Sequence, residues 1–94
     1  MLVVAVLRYQ KPMTEVEKHT EAHRAYMRTL HERGVLVASG PFVPRTGGML
    51  LFKADSRDEV DVLLADDPFL EHDVAVYEVQ AWTPTIGKEA LEKL

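Results

Sequence analysis

An α+β fold with the element order β-α-β-β-α-β is predicted by three features of this 94-residue chain. Four apolar segments of strand length, residues 2–7, 35–38, 49–53 and 74–82, are bounded by Gly, Pro and polar residues. Two amphipathic helical stretches, residues 15–33 and 57–67, follow the first and third of them. Only a Gly- and Pro-containing turn separates the second from the third, which marks a hairpin.

Residues 2–7 are continuously apolar and rich in β-branched side chains, as in a strand buried on both faces, and the strand ends near Arg8 and Tyr9. Residues 10–13 form a loop, after which Thr14 with Glu17 matches a capping box. The first helix runs from Glu15 to Arg33, and Gly34 is placed to end it. At about 100° per residue, Val16, His19, His23, Tyr26, Met27 and Leu30 share one face. Glu17, Lys18, Glu21, Arg24, Arg28 and Glu32 cover the other. The second strand, residues 35–38, runs into Ser39, Gly40, Pro41 and Phe42, where Gly40 and Pro41 should end or bulge it. Residues 45–48 are a turn, and residues 49–53 are the third strand.

Ser56 with Glu59 is a second capping-box match, and Asp58 and Glu59 suit the positive end of a helix dipole. This helix should end near Asp67, because a residue before proline is pushed out of helical geometry. Beyond Pro68, Phe69 and Leu70 lies the fourth strand, residues 74–82, closed by Pro84. Residues 85–94 form a short terminal helix or tail on a single domain whose core spans about 1–84. The order is that of the ferredoxin-like fold, with an antiparallel sheet and both helices on one face. The other sheet face is also apolar: Val74, Val76 and Trp82 alternate with Ala75, Tyr77, Val79 and Ala81. Two apolar sheet faces and one helical layer imply a second cover, for which a homodimer packed sheet against sheet is the economical answer.

Composition narrows the function. Eleven basic and fifteen acidic residues, interspersed, give a net charge of −4 and no basic stripe for nucleic acid or anionic lipid. The absence of cysteine excludes disulfides, thiolate metal sites and thiol catalysis. Residues 2–7 are too short to span a membrane and lack the basic flank of a signal peptide, so a cytoplasmic location is the default expectation.

Two ionisable residues stand out because each lies on the apolar side of its helix. His23 falls among Val16, Tyr26, Met27 and Leu30, and Asp67 among Val60, Leu63 and Leu64. Ionisable groups seldom face a core unless paired. Helices lying side by side on one sheet would let these two approach. At the negative end of its helix dipole Asp67 would need a cation, and a carboxylate would fix the imidazole tautomer, which is how a general base is oriented. The bland alternatives are a core histidine bonded to a backbone carbonyl and a helix-ending aspartate. Ser39, Gly40 and Pro41 are candidates to line a pocket, since glycine allows close backbone approach, and Tyr26, Phe69 and Trp82 are candidates to contact a planar substrate. His19 and His23, four apart, have a metal-compatible spacing with His72 or Asp67 as a third ligand, but no complete ligand motif is present, and no metal or other cofactor is expected. His31 reads as a surface residue near the helix end.

His23, Gly34 eleven residues on, Ser39, Gly40 and Pro41, the Gly47 and Gly48 turn, Asp67, Pro68 and Phe69, and a last strand ending at Trp82 together resemble the YCII-related family in order and spacing. The resemblance covers the chain from its first strand through Trp82. It implies a ferredoxin-like subunit assembled as a dimeric α+β barrel, with a His–Asp active site falling on His23 and Asp67. Its relatives include a dehydrochlorinase of a chlorinated hydroxyhydroquinone and, more widely, muconolactone isomerases and cofactor-free monooxygenases. The expected function is therefore small-molecule acid/base catalysis of lyase or isomerase type on a cyclic or aromatic compound. The alternatives are a metabolite-binding or purely structural dimer module of the same fold.

Overall fold

The computed structural model describes residues 1–93. Its elements in chain order are β1 (Leu2–Tyr9), α1 (Met13–Glu32), β2 (Leu36–Pro41), β3 (Gly47–Lys53), α2 (Arg57–Leu64), α3 (Pro68–Glu71), β4 (Ala75–Trp82) and α4 (Lys88–Glu92). The four strands form one antiparallel sheet in the order β2-β3-β1-β4, so β1 and β3 are central. This is the ferredoxin-like arrangement that the element order predicts.

The strand period of two decides which residues meet the helices. Val3, Ala5 and Leu7 of β1 are buried and face the helical layer, where they join Met27 and Leu30 of α1, Val60 and Leu64 of α2, and Phe69 of α3. Leu2, Val4 and Val6 face the other way and are half-buried by the sheet alone. Their cross-strand partners on that face include Met49 and Leu51 of β3 and Trp82 of β4. Met49, Val76 and Trp82 are 41%, 44% and 44% exposed, so the open face carries exposed apolar residues beside Gln80 and the Arg8–Glu78 ion pair.

Several boundaries differ from the sequence expectation. The capping box at Thr14 does not form. α1 begins at Met13 after Pro12, and the Pro12 carbonyl accepts from the N–H groups of Glu15 and Val16. At its other end Gly34, with φ of +80°, allows the Gly34 and Val35 N–H groups to close back on the carbonyls of His31 and Leu30, the paired bonds of a Schellman motif. Ser56 caps α2 as expected, its hydroxyl accepting from Glu59 N–H, while the Glu59 carboxylate accepts from Asp55 N–H.

β2 continues through Gly40 and Pro41 instead of ending there; its irregularity lies earlier, between Leu36 and Ala38. Pro41 is tolerated because β2 is an edge strand. Gly47 and Gly48, expected in the turn, belong to β3. A Cβ at Gly47 would overlap the Leu7 carbonyl, and one at Gly48 would lie 2.6 Å from the Gly40 carbonyl oxygen. Here glycine serves close strand approach.

α2 ends at Leu64, short of Asp67, and α3 occupies a stretch where the sequence pattern predicts only a connection. α4 lies within the expected terminal stretch; Leu94 falls outside the described residues.

Gly47→Ala is expected to lower stability by about 1–3 kcal/mol through overpacking against β1. Gly40→Ala meets nothing within 4 Å and should leave stability unchanged or slightly raised. Urea unfolding midpoints of the two variants check the contrast.

Candidate active site

Asp67 is fully buried and lies between the two short helices, not at the end of the first. Preceding Pro68, it adopts extended backbone geometry and becomes the N-cap of α3, with proline at the first helical position. Its Oδ1 accepts from Phe69 N–H at 3.2 Å. The expectation that Asp67 faces the negative end of a helix dipole is thus corrected: it caps the N-terminus of a short helix, where a carboxylate is favoured.

His23 reaches the same carboxylate from α1, with Nδ1 at 2.8 Å from Asp67 Oδ1. Its ring stacks on Phe69, centroids 4.1 Å apart and planes 9° from parallel. The third donor is the Tyr77 hydroxyl of β4, which donates to Asp67 Oδ2. Backbone N–H and phenol O–H both donate here, so Asp67 acts as an acceptor-only carboxylate and the facing Nδ1 carries a proton. The arrangement leaves Nε2 of His23 without a hydrogen bond. No buried side-chain nitrogen or oxygen among the described residues lacks a partner, so Nε2 is open to solvent. Removing the carboxylate would strand three donors, and each one left buried without a partner costs about 1–3 kcal/mol. Removing the imidazole leaves Asp67 with two donors and costs less.

The alternation of β4 puts Tyr77 on the helix-facing side, but strand period alone does not connect it to Asp67. The available signal is a phenol on a core-facing strand position, which needs a polar partner. Burial, and next the negative charge of Asp67, push its ionisation well above the ordinary tyrosine value. Tyr26 is raised more modestly, mainly by burial.

His23 borders a cleft of about 460 Å³ between α1 and the edge of the sheet. Ser39, Gly40 and Pro41 line it, as does Phe69. Asp67 does not; its carboxylate is joined to the cleft only through its contact with His23. Tyr26 is not brought to the cleft, because its hydroxyl donates to the Leu63 carbonyl at 2.6 Å and ties α1 to α2. Trp82 lies on the open sheet face. His19 stacks on His72 at 3.9 Å, and among the described residues no group of three or more His, Cys, Asp or Glu side chains is arranged to hold a metal ion. His31 lines the cleft, and its Nδ1 donates to the Leu36 carbonyl at 2.8 Å.

Arg24 and Arg28, assigned by periodicity to the solvent side of α1, flank the cleft. Arg45 enters from the β2–β3 turn, its Nε donating to the Tyr9 hydroxyl at 3.2 Å and its Nη2 to Thr20 Oγ1 at 3.4 Å. No local sequence pattern links a turn arginine to a helix ten or more residues away, so periodicity does not reveal it.

These features define a ferredoxin-like α+β protein with a carboxylate-backed imidazole open to a cleft. The chain belongs to the YCII-related domain family, whose sequence profile matches residues 1–83. Among solved structures it is similar to the 5-chloro-2-hydroxyhydroquinone dehydrochlorinase of Burkholderia phenoliruptrix AC1100 in complex with 2,5-dihydroxybenzoquinone. That likeness has 24% identity and a TM-score of 0.75, covering 88% of this chain and 94% of that one. An antibiotic biosynthesis monooxygenase is a more distant structural neighbour, with 16% identity and a TM-score of 0.56 over 89% of this chain and 100% of that one. No curated protein matches the sequence significantly. No helix among the described residues is long and apolar enough to cross a membrane.

The raised Tyr77 ionisation sets an alkaline limit. An unfolded tyrosine ionises near pH 10. Folded Tyr77 keeps its proton there, so its contribution to stability is present below about pH 10 and is lost as pH rises further. Tyr77→Phe should therefore be less stable than wild type at neutral pH yet lose less stability above about pH 10. Some slope remains from Tyr26. Urea unfolding on both sides of that pH checks the difference.

Proposed function

We propose that this protein is a small-molecule enzyme of lyase or isomerase type, moving a proton on a cyclic or aromatic substrate through His23 Nε2. The observation that carries the reading is the 2.8 Å contact of His23 Nδ1 with the buried Asp67 carboxylate, on a side chain that lines the cleft and whose Nε2 has no hydrogen-bond partner. Asp67 holds the imidazole in one tautomer and stabilises the imidazolium formed when Nε2 takes a proton. Tyr77 and Phe69 N–H hold Asp67 in turn. Ser39, Gly40 and Pro41 on one side and Phe69 on the other border the substrate. The chemistry requires no cofactor. The similarity to a dehydrochlorinase of a chlorinated hydroxyhydroquinone supports a cyclic substrate and an elimination-type reaction.

Solvent hydrogen exchange into a panel of cyclic ketones, enols and chlorinated hydroquinones, followed by proton NMR in deuterated buffer, tests this reading across the whole substrate class. His23→Ala should lower the rate by about 10²–10⁴-fold while the protein stays folded, and Asp67→Asn should lower it by a similar order with little change in KM. Wild-type rates in folded His23→Ala would reject the assignment. Ligand binding without exchange, together with a tolerated Asp67→Asn, would identify a non-catalytic binding module instead.

We further propose that two copies pair through the open sheet face. Its exposed Met49, Val76 and Trp82 and half-buried Val4 and Val6 support a second copy as the cover. Val4→Glu, which puts a charge near the middle of that face, should convert a dimer into a monomer in sedimentation velocity.

A further inference from the structure

Three arginines and one further histidine, His31, line the cleft with His23, and no aspartate or glutamate does. This is an unusual local balance for a chain with a net charge of −4. Among the described residues, Arg24, Arg28 and Arg45 make no ion pair. Carboxylates are within helical reach, since Glu21 lies three residues before Arg24 and Glu32 four residues after Arg28. Neither pair forms. Arg24 and Arg28 themselves are four apart, a like-charge spacing that opposes helix formation. Cations kept close together and unpaired around a cavity raise the local concentration of an anion there.

Arg45 is held in place by side-chain hydrogen bonds. Tyr9 and Thr20 take its Nε and one Nη2 hydrogen, which leaves both Nη1 hydrogens and the second Nη2 hydrogen to donate. Two of these on adjacent nitrogens match the fork of a carboxylate. Between the arginines the wall is mixed: Tyr9, Thr20 and Ser39 contribute polar atoms, while the largely buried Leu7, Met27, Leu50 and Phe69 contribute apolar edges. Those apolar edges suit a carbon body more than a bare inorganic ion.

We infer that the cleft binds an organic carboxylate, its charge received by Arg24, Arg28 and Arg45 and its ring or chain laid against Phe69 and Leu50. The inference rests on the proposed reading that the cleft beside His23 is the working site. A carbon acid held this way would lose its proton to His23 Nε2 while the guanidinium groups stabilise the negative charge that develops on the substrate oxygen.

Isothermal titration of the wild-type protein with benzoate, phthalate, benzamide and inorganic phosphate tests the inference apart from turnover. Benzoate and phthalate should bind, phthalate more tightly, with affinity falling as sodium chloride is added. Benzamide, the neutral isostere of benzoate, should bind about tenfold or more weakly. Arg45→Gln and the double variant Arg24→Gln/Arg28→Gln should each weaken phthalate by a similar factor at an unchanged unfolding midpoint, and His23→Ala should keep it. Benzamide binding as tightly as benzoate, arginine variants with full affinity, phosphate preferred to both carboxylates, or no saturable carboxylate binding would each overturn the inference. Carboxylate binding with no proton exchange on either the neutral panel or cyclic keto acids would uphold it and reject the catalytic reading. Exchange on neutral compounds alone would do the reverse.

Discussion

The helical layer and the sheet meet at one buried carboxylate. Asp67 receives His23 from α1, the Phe69 N–H from α3 and the Tyr77 hydroxyl from β4, so three separate elements share a single acceptor. A fully buried carboxylate is tolerated only when its oxygens are satisfied. That requirement fixes the rotation of α1 about its axis, since His23 must point at Asp67, and it fixes the height of α3 above β4. The same rotation puts Thr20, Arg24, Met27, Arg28 and His31 along the cleft at three- and four-residue spacing.

The cleft's other wall depends on a different constraint. β2, β3 and β1 approach closely at Gly47 and Gly48, where any side chain would strike a neighbouring carbonyl. That approach draws the edge strand, with Ser39, Gly40 and Pro41, to the mouth of the cleft, and the short turn after it brings Arg45 back over Tyr9 and Thr20. A buried polar network on one side and close strand contact on the other hold a site whose floor is apolar and whose rim is cationic.

The fold is largely legible in the sequence because its signals are local. Continuous apolar residues in β1, the stripe through Val16, His23, Met27 and Leu30, and the Ser56 cap each report on a few neighbouring residues. Where the structure departs from the pattern, one local motif is compatible with two elements and packing selects between them. Thr14 and Glu17 match a cap, yet Pro12 starts α1 earlier. Gly47 and Gly48 look like turn residues, yet they serve strand packing. Asp67 before Pro68 fits the end of α2, although the same pair also describes the N-cap and first position of a new helix.

The sequence by itself determined the order of strands and helices, the inward direction of His23 on its helix, and the choice of Asp67, Ser39, Gly40, Pro41 and Phe69 as candidates near it. The burial of Asp67 comes from its place as the N-cap of α3 and not from a face of α2. Only the tertiary structure decided that the two ionisable residues meet, that Tyr77 completes their hydrogen bonding, and that Tyr26 spends its hydroxyl on Leu63 outside the cleft. It alone gathered Arg24, Arg28 and Arg45 around one cavity. The reason is geometric. Periodicity tells which side of its own element a residue occupies, whereas convergence depends on how elements are rotated and spaced against one another, and that is set by packing and the satisfaction of buried polar groups.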